Sequence, residues 1–419
     1  MLKGKTAMAV TFKDIEKARA TLAGNVVRTP LLKAPKLSEI TGADIHVKFE
    51  NQQVTSSFKD RGAYNKMSSL TPAEKARGVI AMSAGNHAQA VAYHAKRLHI
   101  PATIVMPETT PSTKVERTKA HGANVILSGE TLADSQVTAE ALVKEKGFLL
   151  IHPYDDDKVI AGQGTIALEM LEDAPDLDCI VVPIGGGGVI GGIAVAAKHI
   201  KPAIEILGVE VKLYPSMYHA LRGQPSKCGG STLAEGIAVK NVTERTIAIA
   251  KQHVDDVRLV GESDIERAVM AYLTHQKTLA EGAGAAGLAA VLADPAHFRG
   301  RKVGLVLCGG NIDPRILASV ILRELEREHR IVNLRIQIDD RPGVLGRIAT
   351  LLGQLGANIL EVSHRRMFLD VPAKGAELEI MLETRDGPHA DEIVARIVAE
   401  GFPTRVLDAP GGRETGRRG

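Results

Sequence analysis

Lys59 is the first residue of this 419-residue chain whose neighbours favour chemistry. It follows Ser56, Ser57 and Phe58 and stands two residues before Arg61. A lysine that attacks an aldehyde needs a lowered pKa, which partial burial or a neighbouring cation supplies. Taken alone, a lysine in a polar segment is more often an ordinary surface residue. The segment is therefore a candidate for a Schiff-base lysine and needs support from elsewhere in the chain.

A second segment with chemical character lies between a predicted strand and a predicted helix. Its residues are Ser83, Ala84, Gly85, Asn86 and His87. Backbone N–H groups converge where a helix begins, and they suit a carboxylate or a phosphate. Ser and Asn are also ordinary helix caps, so this segment alone does not establish a binding site.

Four consecutive glycines follow another apolar run and precede a predicted helix. They are Gly185, Gly186, Gly187 and Gly188. A backbone without side chains approaches a phosphate closely. Gly186, Gly188 and Gly191 also match the GxGxxG pattern, with Glu210 about 20 residues further on, as in dinucleotide-binding folds. A nicotinamide-dependent oxidoreductase is therefore the alternative function from a different class.

Cys308 lies at the end of a third apolar run, just before two glycines and Asn311. A buried cysteine is commonly an inert part of the core. Its thiol is also able to offer a weak, neutral hydrogen bond to a ring nitrogen. Lys59, the segment from Ser83, the glycine run and Cys308 are far more specific together than any one of them.

Together these segments resemble the fold-type II pyridoxal-phosphate enzymes, the tryptophan synthase β family, and within it the threonine and serine dehydratases. The resemblance covers about residues 14 to 322. It implies pyridoxal 5'-phosphate as cofactor, bound by Phe58, Lys59, Asn86, Gly185, Gly186, Gly187, Gly188, Val189, Gly236, Glu281 and Cys308. It also implies that the substrate is bound by Ser83, Ala84, Gly85, Asn86 and His87. The dinucleotide alternative leaves Lys59 and the segment from Ser83 unexplained.

The same resemblance implies a reaction, the β-elimination and deamination of L-threonine and L-serine to a 2-oxo acid and ammonia. Lys59 is then the base that removes the Cα proton, and a neutral Cys308 beside the ring nitrogen favours elimination over transamination. By the same resemblance, racemases of this family have a Ser at the position of Ala84, and that Ser transfers a proton. An alanine side chain transfers no proton, so racemisation is disfavoured. Serine racemase and hydroxyaspartate dehydratase stay as alternatives, and a cation near Glu210 stays unassigned.

The order of apolar runs predicts the fold around these residues. Runs such as Gly78–Met82 and Cys179–Val182 are apolar throughout and alternate with amphipathic stretches, which indicates parallel sheets covered by helices on both faces. We therefore expect an α/β catalytic domain over residues 1–328, with a small subdomain over about 50–155 inserted in a larger one. Ligands of such sheets bind at the carboxyl ends of the strands, where the candidate residues fall.

The chain changes character near residue 331. Alternating strands and two helices follow in the order βαββαβ, a ferredoxin-like unit over residues 329–408. This unit resembles an ACT domain, which implies control by an amino acid such as isoleucine or valine and assembly into a homodimer or homotetramer. Its predicted ligand loop comprises Asp340, Arg341, Pro342, Gly343, Val344 and Leu345. Residues 409–419 are rich in Gly and Arg and are predicted to be disordered.

Composition excludes several other classes of protein. The net charge is only +3 and aromatic residues make up 3% of the chain with no Trp, so neither a nucleic-acid surface nor a membrane surface is expected. Cys179, Cys228 and Cys308 are far apart, which argues against a disulfide framework or a structural zinc and for a reducing compartment. With no recognisable signal peptide, we expect a cytoplasmic protein.

Overall fold

The computed structural model describes residues 10–365 and 375–407. The chain forms two units, one that ends at Ile312 and one that begins at Asp313. The domain boundary predicted between residues 328 and 329 stays a prediction. The tail predicted to be disordered, residues 409–419, lies outside the described residues.

A six-stranded sheet forms the larger half of the first unit. Its strands are β1 (Leu31–Lys33), β2 (Asp44–Lys48), β7 (Cys179–Pro183), β8 (Glu205–Val211), β9 (Asp256–Val260) and β10 (Lys302–Val306). They are ordered β1-β2-β10-β7-β8-β9, and all neighbours are parallel except β1 and β2. Every residue of the central strand β7 is buried, as expected for a strand covered on both faces.

A four-stranded parallel sheet forms the smaller half. Its strands are β3 (Val79–Met82), β4 (Ala102–Met106), β5 (Asn124–Leu127) and β6 (Leu149–Leu150), ordered β5-β4-β3-β6. The sheet has its own hydrophobic cluster, to which β3, β4 and the helix after β3 contribute. These strands lie within the segment predicted for the small subdomain, and the predicted α/β class is confirmed.

Helices cover both sheets. They are α1 (Phe12–Leu22), α2 (Pro35–Thr41), α3 (Lys59–Ser68), α4 (Pro72–Arg77), α5 (Asn86–Arg97), α6 (Ser112–Ala120), α7 (Leu132–Lys146), α8 (Asp157–Asp173), α9 (Gly188–Ile200), α10 (Ser216–Leu221), α11 (Glu244–His253), α12 (Glu262–His275), α13 (Gly282–Ala293) and α14 (Pro295–Phe298), with single 3₁₀ turns at Glu50–Gln52 and Glu235–Ile237. The local sequence specifies several of their starts, since Thr11, Thr71 and Thr131 form capping boxes with acidic residues three positions later.

The position of α3 depends on two glycines. A methyl group on Gly162 of α8 would lie 2.8 Å from the Cα atom of Gly62 and 2.8 Å from the Arg61 carbonyl oxygen, both in α3. The two helix backbones therefore approach more closely than alanine would permit. Lys59 is the first residue of α3, so the close approach of α3 to α8 determines where the backbone of the candidate lysine lies.

The second unit begins with α15 (Pro314–Arg327) and continues in the predicted βαββαβ order. Its further elements are β11 (Ile331–Asp339), α16 (Val344–Gln354), β12 (Asn358–Arg365), β13 (Gly375–Glu383), α17 (Gly387–Ala399) and β14 (Thr404–Val406). The antiparallel sheet has the order β12-β13-β11-β14, and its core is aliphatic. Strand β12 is described up to Arg365, and residues 366–374 lie outside the described range.

Candidate active site

Lys59 opens α3 with its side chain half-buried, and its Nζ donates a hydrogen bond of 2.8 Å to the Pro153 carbonyl oxygen. Burial lowers the pKa of Lys59 to about 8, against the opposing influence of Cys308 and Glu281. A larger fraction of the amine is therefore neutral near pH 7 than for an exposed lysine. This is the state in which a lysine attacks a carbonyl carbon.

Arg61 does not supply this effect, although it lies only two residues away. Its guanidinium is 1% exposed and pairs with Glu50 at 2.8 Å and with Glu169 at 2.6 Å. These carboxylates raise the pKa of Arg61. Arg61 therefore anchors the first turn of α3 in the large subdomain, and burial rather than a neighbouring cation lowers the pKa of the lysine.

The segment from Ser83 to His87 follows β3, and its last two residues open α5, as predicted. The Gly85 N–H donates to Ser83 Oγ at 3.2 Å, which shapes the turn into the helix. His87 Nε2 donates to the Ile151 carbonyl oxygen at 2.7 Å, and burial together with the charge of Lys59 lowers the pKa of His87 to about 3. His87 is thus neutral and its Nε2 proton holds the end of β6. Ala84 packs against the core of the small sheet.

Asn86 lies at the start of α5 with both ends of its amide engaged. Its Nδ2 donates to Glu281 Oε1 at 2.7 Å, and its Oδ1 accepts from Asn311 Nδ2 at 2.9 Å. Asn311 also donates to the Thr55 carbonyl oxygen at 2.8 Å. Burial raises the pKa of Glu281 to about 7. Asn86 therefore has a fixed orientation, with its second N–H available to a ligand.

The glycine run connects β7 to α9. Among the described residues, the backbone N–H groups from Gly185 to Val189 have no hydrogen-bond acceptor. Gly187 has φ +92°, which favours glycine. A methyl group on Gly185 would lie 3.2 Å from the Gly236 carbonyl oxygen, so the candidate cofactor residue Gly236 lies beside the run. Free N–H groups at the start of a thirteen-residue helix fit a phosphate.

Cys308 is buried just after β10. Its carbonyl oxygen accepts a hydrogen bond of 3.0 Å from the Phe58 N–H, and Ser57 pairs with Gly309 in a short antiparallel bridge. These contacts hold the Lys59 segment beside Cys308. Burial raises the pKa of the Cys308 thiol well above its usual value, so the thiol is neutral. A neutral thiol fits an unprotonated ring nitrogen.

Glu210 contributes to the structure of the large subdomain. Its two carboxylate oxygens accept hydrogen bonds of 2.8 Å from the backbone N–H groups of Met217 and Tyr218 at the start of α10. Burial raises the pKa of Glu210 to about 7. In the part of the chain that the structure describes, no group of three or more His, Cys, Asp or Glu side chains is arranged to hold a metal ion.

Three residues of the site escaped sequence reasoning. Pro153 accepts from Lys59, Asn311 holds Asn86, and the ring of Tyr154 covers Gly186. Asn311 follows Cys308 in a segment that had already been named from its sequence, so its place in the site had a local signal. Pro153 and Tyr154 have no local signal, because they follow β6 and reach the site only through the packing of the two subdomains.

The arrangement of lysine, free N–H groups and neutral thiol agrees with the comparison to known proteins. Residues 22–309 match the family model "Pyridoxal-phosphate dependent enzyme", and residues 332–402 match the ACT domain model. This chain belongs to the pyridoxal-phosphate-dependent enzyme family. The predicted family, cofactor and ACT domain are therefore confirmed, and the glycine run is not evidence for a nicotinamide enzyme.

Relatives of known activity extend the likeness over the whole chain. An L-threonine ammonia-lyase of Thermotoga maritima is 43% identical over 400 residues, which is 95% of this chain and 100% of the relative. The processed form of threonine deaminase isoform 2 from Solanum lycopersicum is 36% identical with a TM-score of 0.71, covering 74% of this chain and 87% of that one. Maize serine racemase is 35% identical with a TM-score of 0.71, and the match covers 77% of this chain and 99% of that chain.

The effector loop predicted for the ACT domain occupies the turn between β11 and α16. Asp340, Arg341 and Pro342 are exposed, and Gly343 adopts φ +88° before the helix begins at Val344. Leu345, in the first turn of α16, is 37% exposed. Over the described residues, no helix combines the length and apolar character needed to cross a membrane.

Proposed function

We propose that this protein is a threonine ammonia-lyase that converts L-threonine to 2-oxobutanoate and ammonia, and L-serine to pyruvate and ammonia. The observation that carries the proposal is the half-buried Lys59, whose pKa of about 8 suits both attack on an aldehyde and removal of a proton. The likeness to an L-threonine ammonia-lyase over nearly the full length of both chains supports the substrate.

Each group of the site has a role in this proposal. Pyridoxal 5'-phosphate, when bound, withdraws electrons from the substrate Cα. The N–H groups of Gly185 to Val189 would hold its phosphate, Asn86 would donate to its phenolic oxygen, and Cys308 would lie beside its ring nitrogen. Lys59 would hold its aldehyde carbon until the substrate amine takes that place, and the released lysine amine would then take the Cα proton. At pH 7 about one-tenth of a lysine with a pKa of about 8 is neutral, so a base is available at the working pH.

The start of α5 binds the substrate carboxylate in this proposal. The first N–H groups of this twelve-residue helix have no intrahelical acceptor, and the helix dipole favours an anion there. His87 is neutral and bound to Ile151, so its ring keeps the helix start in place without competing for the carboxylate.

A racemase of the same family is the second candidate, because maize serine racemase shares the fold at 35% identity. Ala84 argues against it, since an alanine has no proton to deliver to the opposite face of Cα. A hydroxyaspartate dehydratase is the third, and we assign none of the described cationic side chains to a β-carboxylate. Chiral analysis after incubation with L-serine separates the outcomes, because an ammonia-lyase yields pyruvate without D-serine.

The decisive experiment is the absorption spectrum of the purified protein with Lys59→Ala beside it. We expect a near-visible band that Lys59→Ala abolishes together with threonine deamination. Lys66→Ala is the matched control, since Lys66 lies on the same helix and pairs with Asp156 at 2.6 Å. A colourless protein that binds a nicotinamide nucleotide, or a band that survives in Lys59→Ala, would overturn the proposal.

We further propose that the ACT domain controls the enzyme through isoleucine or valine and that the chain works as a homodimer or homotetramer. The exposed turn from Asp340 to Leu345 is the proposed effector loop. Either amino acid should alter threonine deamination by the full chain but not by a chain truncated near residue 328. An equal response of both chains would remove this proposal.

A further inference from the structure

Helix α5 is connected to the Lys59 segment at two separate points. At its first residue, Asn86 accepts from Asn311, which donates to the carbonyl oxygen of Thr55. Toward its other end, His94 lies 3.3 Å from the carboxylate of Asp60. The helix that begins at the proposed carboxylate site therefore also contacts the residue directly after the proposed cofactor lysine.

Asp60 links these two points. Its carboxylate accepts hydrogen bonds from the Thr55 N–H at 3.1 Å and from Thr55 Oγ1 at 2.6 Å. The hydrogen bonds between Thr55 and Asp60 thus close residues 55 to 60 into a loop, which includes Lys59. The start of α5 is connected to this loop through Asn311, which donates to the Thr55 carbonyl oxygen, and His94 lies beside Asp60.

His94 is deeply buried beside this loop. The side chains of His94 and Asp60 are each 1% exposed, and Asp60 Oδ1 is the polar atom that faces His94 Nε2. The rings of Tyr64 and Tyr93 meet the imidazole edge-on, with centroids 5.3 and 4.9 Å away. Within the described residues, His94 Nε2 has no aligned hydrogen bond, and the Asp60 carboxylate lies 3.3 Å from it.

The opposite side of the ring determines where the proton lies. Arg97 Nη1 is 3.5 Å from His94 Nδ1. A guanidinium only donates, so Nδ1 is the acceptor and a neutral imidazole carries its proton on Nε2. That proton is on the ring nitrogen that lies 3.3 Å from Asp60 Oδ1. A buried N–H beside a buried carboxylate favours one arrangement of the two groups, because the Asp60 carboxylate is the acceptor that faces His94 Nε2 and is itself held by Thr55.

We propose that His94 is a positioning residue for Lys59, acting through the carboxylate of Asp60. This inference rests on the proposed role of Lys59. The Nε2 proton holds Asp60 against Thr55, and Asp60 in turn fixes the backbone from which the Lys59 side chain extends. With Asn86 fixed at the other end of α5, the helix keeps Lys59 in register with the site for the substrate carboxylate.

The test compares two amides of different reach. In His94→Gln the amide nitrogen replaces Nε2 and still reaches Asp60, whereas in His94→Asn the shorter side chain ends near the position of Nδ1. Both variants are uncharged and polar, so they differ chiefly in contact with Asp60. His121→Asn is a further control, because His121 contacts Tyr93 edge-on at 5.6 Å in the same aromatic cluster and is half-buried.

We expect His94→Asn to lower kcat for threonine by about tenfold, as a small displacement of the reacting base does, with KM changed by less than about twofold. The near-visible band per bound cofactor should shift in the same variant. His94→Gln and His121→Asn should stay within about twofold of the unmodified enzyme in kcat. Equal values for His94→Asn and His94→Gln, or a loss confined to KM, would overturn the inference.

A second variant keeps the test decisive if His94→Asn does not fold. Thr55→Val keeps the shape of the side chain but removes the 2.6 Å hydrogen bond to Asp60, so it should show the same loss in kcat at unchanged KM. An unchanged kcat contradicts the inference. Lys59→Ala distinguishes a failure of the proposed function from a failure of the role of His94. A near-visible band that survives in Lys59→Ala refutes the proposed function. If Lys59→Ala loses the band but His94→Asn and His94→Gln have the same kcat, only the role of His94 is refuted.

Discussion

Gly186 lies directly beneath the ring of Tyr154, and its replacement by alanine tests whether the glycine run is a phosphate site. A methyl group there would lie 2.2, 2.3 and 2.4 Å from three carbon atoms of the ring. Carbon atoms in ordinary contact are about 3.5 to 4.0 Å apart. Either the ring or the glycine run must therefore move by more than about 1 Å.

The cost of that movement follows from what holds the ring. Tyr154 Oη donates to the Asn241 carbonyl oxygen at 3.1 Å, a hydrogen bond worth about 0.5 to 1.5 kcal/mol. Overpacking adds about 1 to 3 kcal/mol. Because the displaced run no longer presents its N–H groups together, we expect the cofactor Kd of Gly186→Ala to rise at least tenfold, which corresponds to about 1.4 kcal/mol.

The assay is a titration of cofactor-free protein with pyridoxal 5'-phosphate, followed by the near-visible band. Tyr154→Ala removes the obstacle, so Gly186→Ala should cost at least about 1 kcal/mol less in that background. Gly353→Ala is the control, since no atom lies within 4 Å of its added methyl group. The reasoning is refuted if Gly186→Ala binds the cofactor normally, or if its cost is the same with and without the ring.

Two further predictions concern buried charge. Arg61→Met should lower the free energy of unfolding by about 3 to 5 kcal/mol, because it leaves the fully buried Glu50 without its partner at 2.8 Å. Urea denaturation measures this, and Glu50→Gln in the same chain should recover part of the loss; no recovery would contradict the reasoning. Burial raises the pKa of Glu281 from 4.5 to about 7, so its contribution to stability is largest below pH 4.5 and declines as the pH rises to 7. Glu281→Gln should therefore gain stability relative to the unmodified protein between those pH values, and unfolding midpoints that change in parallel would count against it.

Local sequence patterns were sufficient to predict the strands and helices and to suggest which residues form the proposed site. Runs such as Cys179–Pro183 are apolar at every position, which only a strand covered on both faces requires. Gly187 at φ +92° and the free N–H groups around it follow from four successive glycines before a helix. The alternation of apolar and polar residues after residue 331 likewise predicted the order of elements in the second unit, because a strand with one buried face has an apolar side chain at every second residue.

Tertiary structure alone decided how those groups are tuned and held. Asn86 meets Asn311 across 225 residues of sequence, and His94 meets Asp60 across two helices, so neither pairing has a local signal. Lys59 was identified from its neighbours in sequence. Its pKa is lowered by burial and not by Arg61, because Arg61 pairs with carboxylates of the large subdomain. Sequence periodicity records which face of an element is buried, whereas the partner on that face depends on how distant elements pack.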